Sequence, residues 1–170
     1  QNAFIGQTLT VRSRGVEGTV DLGANGLSAK EIATRINAVQ NNTGGVTARG
    51  ETYAYMALGN GTQTTTVDFT LNGVNIQAYS SNAGSDVDGL VTAINDASGK
   101  TGVVAKKVDL PGSSGTYRVE LFAADGSDIK INNASVSTQQ TGGGSWNAAN
   151  ILTVQGAYDS NGTITAVGAA

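Results

Sequence analysis

A chain of 170 residues with no histidine and no cysteine has few ways of doing chemistry. The usual general base, the thiol nucleophile and the common zinc ligands are all missing, and Ser/His/Asp catalysis is excluded. What remains is carboxylate chemistry. Asp21, Asp68, Asp109 and Glu120 are the material for a glycosidase-like acid pair, which needs two carboxyl groups ~5–9.5 Å apart. Most of them fall near strand ends or turns, where Asp is favoured for bonding its own backbone, so solvated turn acids are the better reading. The run Asp125-Gly126-Ser127-Asp128 invites comparison with a calcium loop. It lacks the D-x-[DN]-x-[DN]-G spacing and the distant glutamate, and an Asp-Gly turn accounts for its residue types. No G-x-x-x-x-G-K-[ST] or G-x-G-x-x-G fingerprint opens a helix. No catalytic, cofactor-binding or metal-binding residue is therefore assigned, and the chain reads as a non-enzyme.

Two features are not absorbed by turns. Trp146 follows three glycines in a polar tail; its ring is either a lid over an open sheet face or an exposed contact for a partner or sugar, roles that amphipathic aromatics share. The other is an Ile-Asn pair that occurs as Ile36-Asn37 and again as Ile94-Asn95. Aligned at an offset of 58, these pairs bring Ile32 onto Leu90, Ala33 onto Val91 and Thr43-Gly44 onto Thr101-Gly102. Val46 and Ala48 then meet Val103 and Ala105 at an offset of 57, so one residue is gained or lost in a loop, where indels are tolerated. Residues 28–48 and 86–105 thus read as a duplicated supersecondary unit. Asn37 and Asn95 are expected to bond neighbouring backbone with their amides while the isoleucines fill the core.

The elements that position these pairs follow from periodicity. Ala29, Ile32, Ala33, Ile36 and Val39 form one apolar stripe at helical spacing. Ser28 and Glu31 supply a capping box at its start. Val87, Leu90, Val91 and Ile94 repeat the stripe, with Ser85 and Asp88 as a weaker cap. Around the helices the period changes to two. Residues 66–71 and 74–78 flank Asn72-Gly73, the strongest hairpin signal in the chain, and residues 103–108 and 117–123 follow the second helix as a further pair. In the first copy the matching strands are 8–12, 18–22, 46–49 and 52–58.

The expected fold is α+β: two tandem β-β-α-β-β units, each laying one amphipathic helix on a small antiparallel sheet. The first spans residues 1–61 and the second 62–132. Residues 133–170 form a polar loop and a closing hairpin, strands 151–155 and 163–167, that returns toward the N-terminus. Ile129-Lys130-Ile131 is read as a last short strand ahead of that loop.

These residues resemble the hypervariable outer region of bacterial flagellins, where a "flagellin hook IN" unit, named for its Ile-Asn pair, recurs in tandem. The resemblance is strongest over residues 18–57 and 66–131. It implies a solvent-facing, extracellular building block of the flagellar filament used for motility, with Ser28, Glu31, Ile32, Ile36, Asn37, Leu90, Ile94 and Asn95 as structural motif residues. It implies partnership with other flagellin subunits through long terminal helices that this chain does not contain, so the chain itself is expected to be monomeric. Surface glycans and antibodies are the other expected contacts. Hook-associated and cap proteins carry the same unit and remain open alternatives.

Composition agrees. Hydrophobic residues make up 39%, aromatics only 5%, and Gly numbers 24, so the core is built mainly from Val, Ile, Leu and Ala with many turns. A formal charge of −3 and one adjacent basic pair, Lys106-Lys107, argue against nucleic acid, which requires clustered cations, and against an anionic membrane surface. No apolar run reaches the ~20 residues needed to span a bilayer. The rival from another class is a carbohydrate-binding or adhesive module with Tyr53, Tyr55, Tyr117 and Trp146 as its platform.

Overall fold

A computed structural model describes residues 6–24, 26–58, 64–80, 85–112, 114–138 and 152–156. Its chain divides into two compact units, Gln1–Thr52 with Ala123–Asp128 and Tyr53–Phe122 with Ile129–Ala170. Among the described residues the architecture is mixed α+β, with three sheets and a few short helices.

In the first unit, β1 (Thr8–Ser13) and β2 (Val16–Asp21) form an antiparallel hairpin in which Ser13 faces Val16. Arg14 and Gly15 make its two-residue turn with φ of 51° and 78°, the positive angles that suit the twist of such a turn. Helix α1 (Ala29–Ala38) follows, then a 3-10 turn at Gln40–Asn42. Val20, Leu22 and Leu27 are buried here, with Val11, Ile32, Ile36 and Val39 partly buried against them. Residues 46–49, expected as a strand, have no regular structure. The reason lies in the next strand: β3 (Thr52–Leu58), which would have been their partner, lies between two other strands of the second unit's sheet.

The second unit contains two sheets around one core. Strands β4 (Thr65–Leu71) and β5 (Val74–Ser80) are joined by Asn72-Gly73, with φ of 47° and 86°, and pair in unbroken register from Thr65–Ser80 to Leu71–Val74. Helix α2 (Asp88–Asp96) and the single turn α3 (Ser98–Thr101) lead into β6 (Val104–Asp109) and β7 (Tyr117–Ala123). The expectation of one small sheet under each helix is not met. The β4–β5 hairpin belongs to a sheet ordered β5-β4-β8, and the β6–β7 hairpin to one ordered β6-β7-β3-β9. Helix α2 packs against β5 of one and β6 of the other. Met56, Leu58, Val67, Phe69, Leu71, Ile76, Leu90, Ile94, Val119 and Leu121 consequently bury in a single cluster. Alternate residues of strands from both sheets point inward, as two-layer packing requires.

The polar stretch after Ile131 also departs from expectation. Residues Ile131–Thr138 are strand β8, antiparallel to β4, rather than the start of a loop. Register slips between Asp68 and Thr70 of β4, where Asn133 has φ of 51°. This bulge lets Ile131, Ala134 and Val136 all pack toward the core at a spacing that breaks strict alternation. Strand β9 (Leu152–Gly156) pairs antiparallel with β3. The expected strand 163–167, the rest of the polar tail and Trp146 lie outside the described residues.

Candidate functional site

Each Ile-Asn pair sits in the last turn of a helix. Asn95 Nδ2 donates to the Ala105 carbonyl at 3.0 Å while its Oδ1 accepts from the Ala105 N–H at 2.7 Å. Asn37 makes the same two bonds to Ala48, at 2.9 and 2.7 Å. A carboxamide sets an N–H donor beside a C=O acceptor much as a peptide group does, so each side chain acts as a one-residue strand neighbour. At Ala105 this has a clear use. Among the described strands β6 is at the end of its sheet, and the asparagine occupies outward backbone groups of the kind that invite pairing at a sheet edge.

The segments between asparagine and alanine also correspond. The chain makes a tight helical turn, at Gln40–Asn42 or Ser98–Thr101. A buried threonine closes it, Thr43 or Thr101. Thr43 donates its hydroxyl to the Gln40 carbonyl at 3.1 Å, and Thr101 Oγ1 accepts from Val103 N at 3.2 Å. Gly44 and Gly102 then reverse direction with φ of 68° and 71°, a region that costs a side chain and not glycine.

Burial separates the two copies. Leu90 and Ile94 are fully buried, and so is Val87; Ile32 and Ile36 are only half-buried. The helix starts differ as well. Ser28 Oγ accepts from Glu31 N at 3.2 Å, and Glu31 Oε2 accepts from Ser28 N at 2.7 Å, so the capping box closes at α1. At α2 the N-cap residue is Val87, which makes no side-chain cap bond; just before it Asp86 Oδ1 accepts from Asp88 N at 3.4 Å. Burial of Val87 takes precedence over capping there. Asp88 in the first turn instead holds Lys107 Nζ at 3.0 and 3.1 Å. That bond raises the lysine's affinity for its proton against the opposing effect of desolvation, and the ammonium sits 4.1 Å from the Tyr117 ring centroid.

The Asp125 loop is held by Lys30 and Ser127. Asp125 accepts from Lys30 Nζ at 2.7 Å, from Ser127 N at 3.0 Å and from Ser127 Oγ at 2.8 Å. The lysine bond, then the two serine bonds, hold this carboxyl well below the usual carboxylate range. Between them Gly126, at φ of 74°, passes so close to α1 that an added Cβ would lie 2.7 Å from Lys30 N and 2.8 Å from the Gly50 carbonyl carbon. Sequence reading identifies the turn; the reach of Lys30 across 95 residues has no local signal. Asn72 is likewise legible only as a turn residue, although its amide makes two long-range bonds: Nδ2 donates to the Thr101 carbonyl at 2.8 Å, and Oδ1 accepts from Lys130 N at 2.8 Å.

Among the described residues no group of three Asp or Glu is placed to hold a metal ion, and no helix is long and apolar enough to cross a membrane. Tyr53, Tyr55 and Tyr117 are engaged by neighbours. Tyr53 stacks on Phe122 with centroids 4.7 Å apart, Arg118 lies 3.7 Å from the Tyr55 centroid, and Tyr117 packs against the core.

The best-defined polar geometry of the chain fastens helix ends to backbone. Residues 68–125, which run from β4 through α2 and the Asn95 clamp to the turn after β7, match the family described as the flagellin hook IN motif. The match covers 58 of the 170 residues and supports a flagellin-type protein. Such a match supports a flagellin-related structural role. No curated protein matches the chain.

Proposed function

We propose that this chain is a surface-exposed outer module of a flagellin, made of two tandem IN-type units, and that it takes no part in catalysis. The observation that carries the reading is the repeated asparagine clamp. The Asn95–Ala105 clamp lies inside the matched motif, and Asn37–Ala48 reproduces it atom for atom outside that match. The tight turn, buried threonine and left-handed glycine recur with it. Ser28, Glu31, Ile32, Ile36 and Asn37 serve the first unit, and Leu90, Ile94 and Asn95 the second. Variability and antigenic exposure follow from an outward position, and contacts with other subunits fall to parts of the protein beyond this module.

Engagement of Tyr53, Tyr55 and Tyr117 by neighbouring side chains favours the building-block reading over the adhesive one. The test is to map the intact parent protein by mass spectrometry and to label intact flagella with antibodies raised against residues 1–170. Heptad-patterned helical segments on both sides and decoration along the filament are the expected results. Label confined to the hook junction or tip would make it a hook-associated or cap protein. A parent with an envelope anchor and unlabelled flagella would overturn the reading in favour of an adhesive module.

A further inference from the structure

Asn-Gly is the dipeptide most prone to self-catalysed deamidation, because glycine has no Cβ to shield its backbone nitrogen. Four such steps occur, at Asn25, Asn60, Asn72 and Asn161. At Asn72 the fold adds something specific. The backbone N–H of Asn72 donates to the Lys130 carbonyl at 2.9 Å, and the side-chain amide is held at both ends, by the Thr101 carbonyl and by Lys130 N. One side chain thus ties the β4–β5 turn to the end of α3 and to the residue preceding β8.

We propose that Asn72-Gly73 is a latent modification site, held unreactive by these ties and converted irreversibly when they open. In the reaction the Gly73 nitrogen, giving up its proton, attacks Asn72 Cγ. The new C–N bond forms as the Cγ–Nδ2 bond breaks, and ammonia leaves with the transferred proton. Water then opens the cyclic imide. Cleavage at Cγ gives aspartate, and cleavage at the main-chain carbonyl gives isoaspartate, so the only co-reactant is water. Attack requires Cγ to swing over the Gly73 nitrogen while Nδ2 departs. Neither movement is compatible with an amide bonded at both ends. Conversion therefore waits for local or global opening, and its rate is the intrinsic rate multiplied by the open fraction.

The product cannot restore the ties. Aspartate is an acceptor only, so it has no donor for Thr101 and turns a negative oxygen toward that carbonyl. Isoaspartate adds a main-chain atom to a two-residue turn and breaks the Leu71–Val74 register that fixes the hairpin. The site is a one-way latch whose conversion accumulates with the time this unit spends open.

Full-length chain should be held at mildly alkaline pH in native buffer and in a urea series, with conversion at residue 72 followed by peptide mass spectrometry. The expected rate in native buffer is more than about tenfold below that of the unfolded chain and rises with urea in step with unfolding. Equal rates in native and unfolded chain would overturn the proposal. Asn72→Asp and Asn72→Gly then test the latch. Glycine keeps the positive φ and loses both side-chain ties; each variant should unfold at a lower urea midpoint than the parent. A midpoint for Asn72→Asp equal to the parent's would overturn the latch, because the product would then hold the turn as well as asparagine does.

Discussion

Asn95 and Asp125 show two ways in which a single side chain secures backbone. Deleting the Asn95 amide removes two hydrogen bonds and leaves the half-buried Ala105 N–H and carbonyl without partners. Each such bond contributes ~0.5–1.5 kcal/mol net, so Asn95→Ala should cost about 1–3 kcal/mol. Hydrogen exchange checks this directly, since the Ala105 amide should lose protection more than its neighbours in β6. Asn37→Ala should cost less, because the Ala48 clamp is more exposed and water replaces part of it. At Asp125 the test is pH. Its folded carboxyl binds protons more weakly than an unfolded one, so the ion pair contributes stability above the ordinary carboxylate value, near pH ~4. That contribution is lost as pH falls through the lower folded value. The substitution Asp125→Asn keeps an acceptor for Ser127 and removes the charge. The gap in melting temperature between the two proteins should be open at neutral pH, narrow in strong acid and shrink with added salt, as exposed pairs do.

At the scale of elements, the two helices are alike in sequence and unequal in energy. Ile94 is fully buried in the large cluster, so Ile94→Ala should cost about 2–5 kcal/mol by lost transfer and cavity formation. Ile36 is half-buried against a smaller cluster. It gains only part of the ~1.5–3 kcal/mol of full burial, and Ile36→Ala should cost about 1 kcal/mol. Urea titrations read by amide signals from each unit would separate the two. The apolar stripe, the capping box of Ser28 and Glu31, and the Asn72-Gly73 hairpin are all legible because their causes lie within a few residues. The missing strand at 46–49 is not, because a strand exists only where a partner does and β3 pairs elsewhere. Strand β8 is hidden by its own bulge: Asn133 displaces the alternation by which polar strands are recognised.

For the whole molecule, periodicity reveals the elements without their allocation to sheets. Two similar repeats suggest two similar sheets, whereas β3, which follows the first helix, is an interior strand of the second unit's sheet. No residue within β3 announces this, since Ala54, Met56 and Leu58 would bury equally well in either place. The allocation makes a prediction. A fragment beginning at residue 62 lacks β3 and separates β7 from β9, so it should show neither the cooperative unfolding nor the amide protection of the same residues in the full chain. A fragment beginning at residue 51 should retain them. Circular dichroism and hydrogen exchange on the two fragments provide the check.

The chain passes from one compact unit to the other at residues 52–53, 122–123 and 128–129. Evolutionary exchange is constrained by that path. A crossover between genes that traded everything before residue 62 would carry off an interior strand, and one at residue 123 would divide the Lys30–Asp125 pair between parents. Recombination can vary the turns at will, but a cut at residue 62 or at residue 123 divides one of the two units.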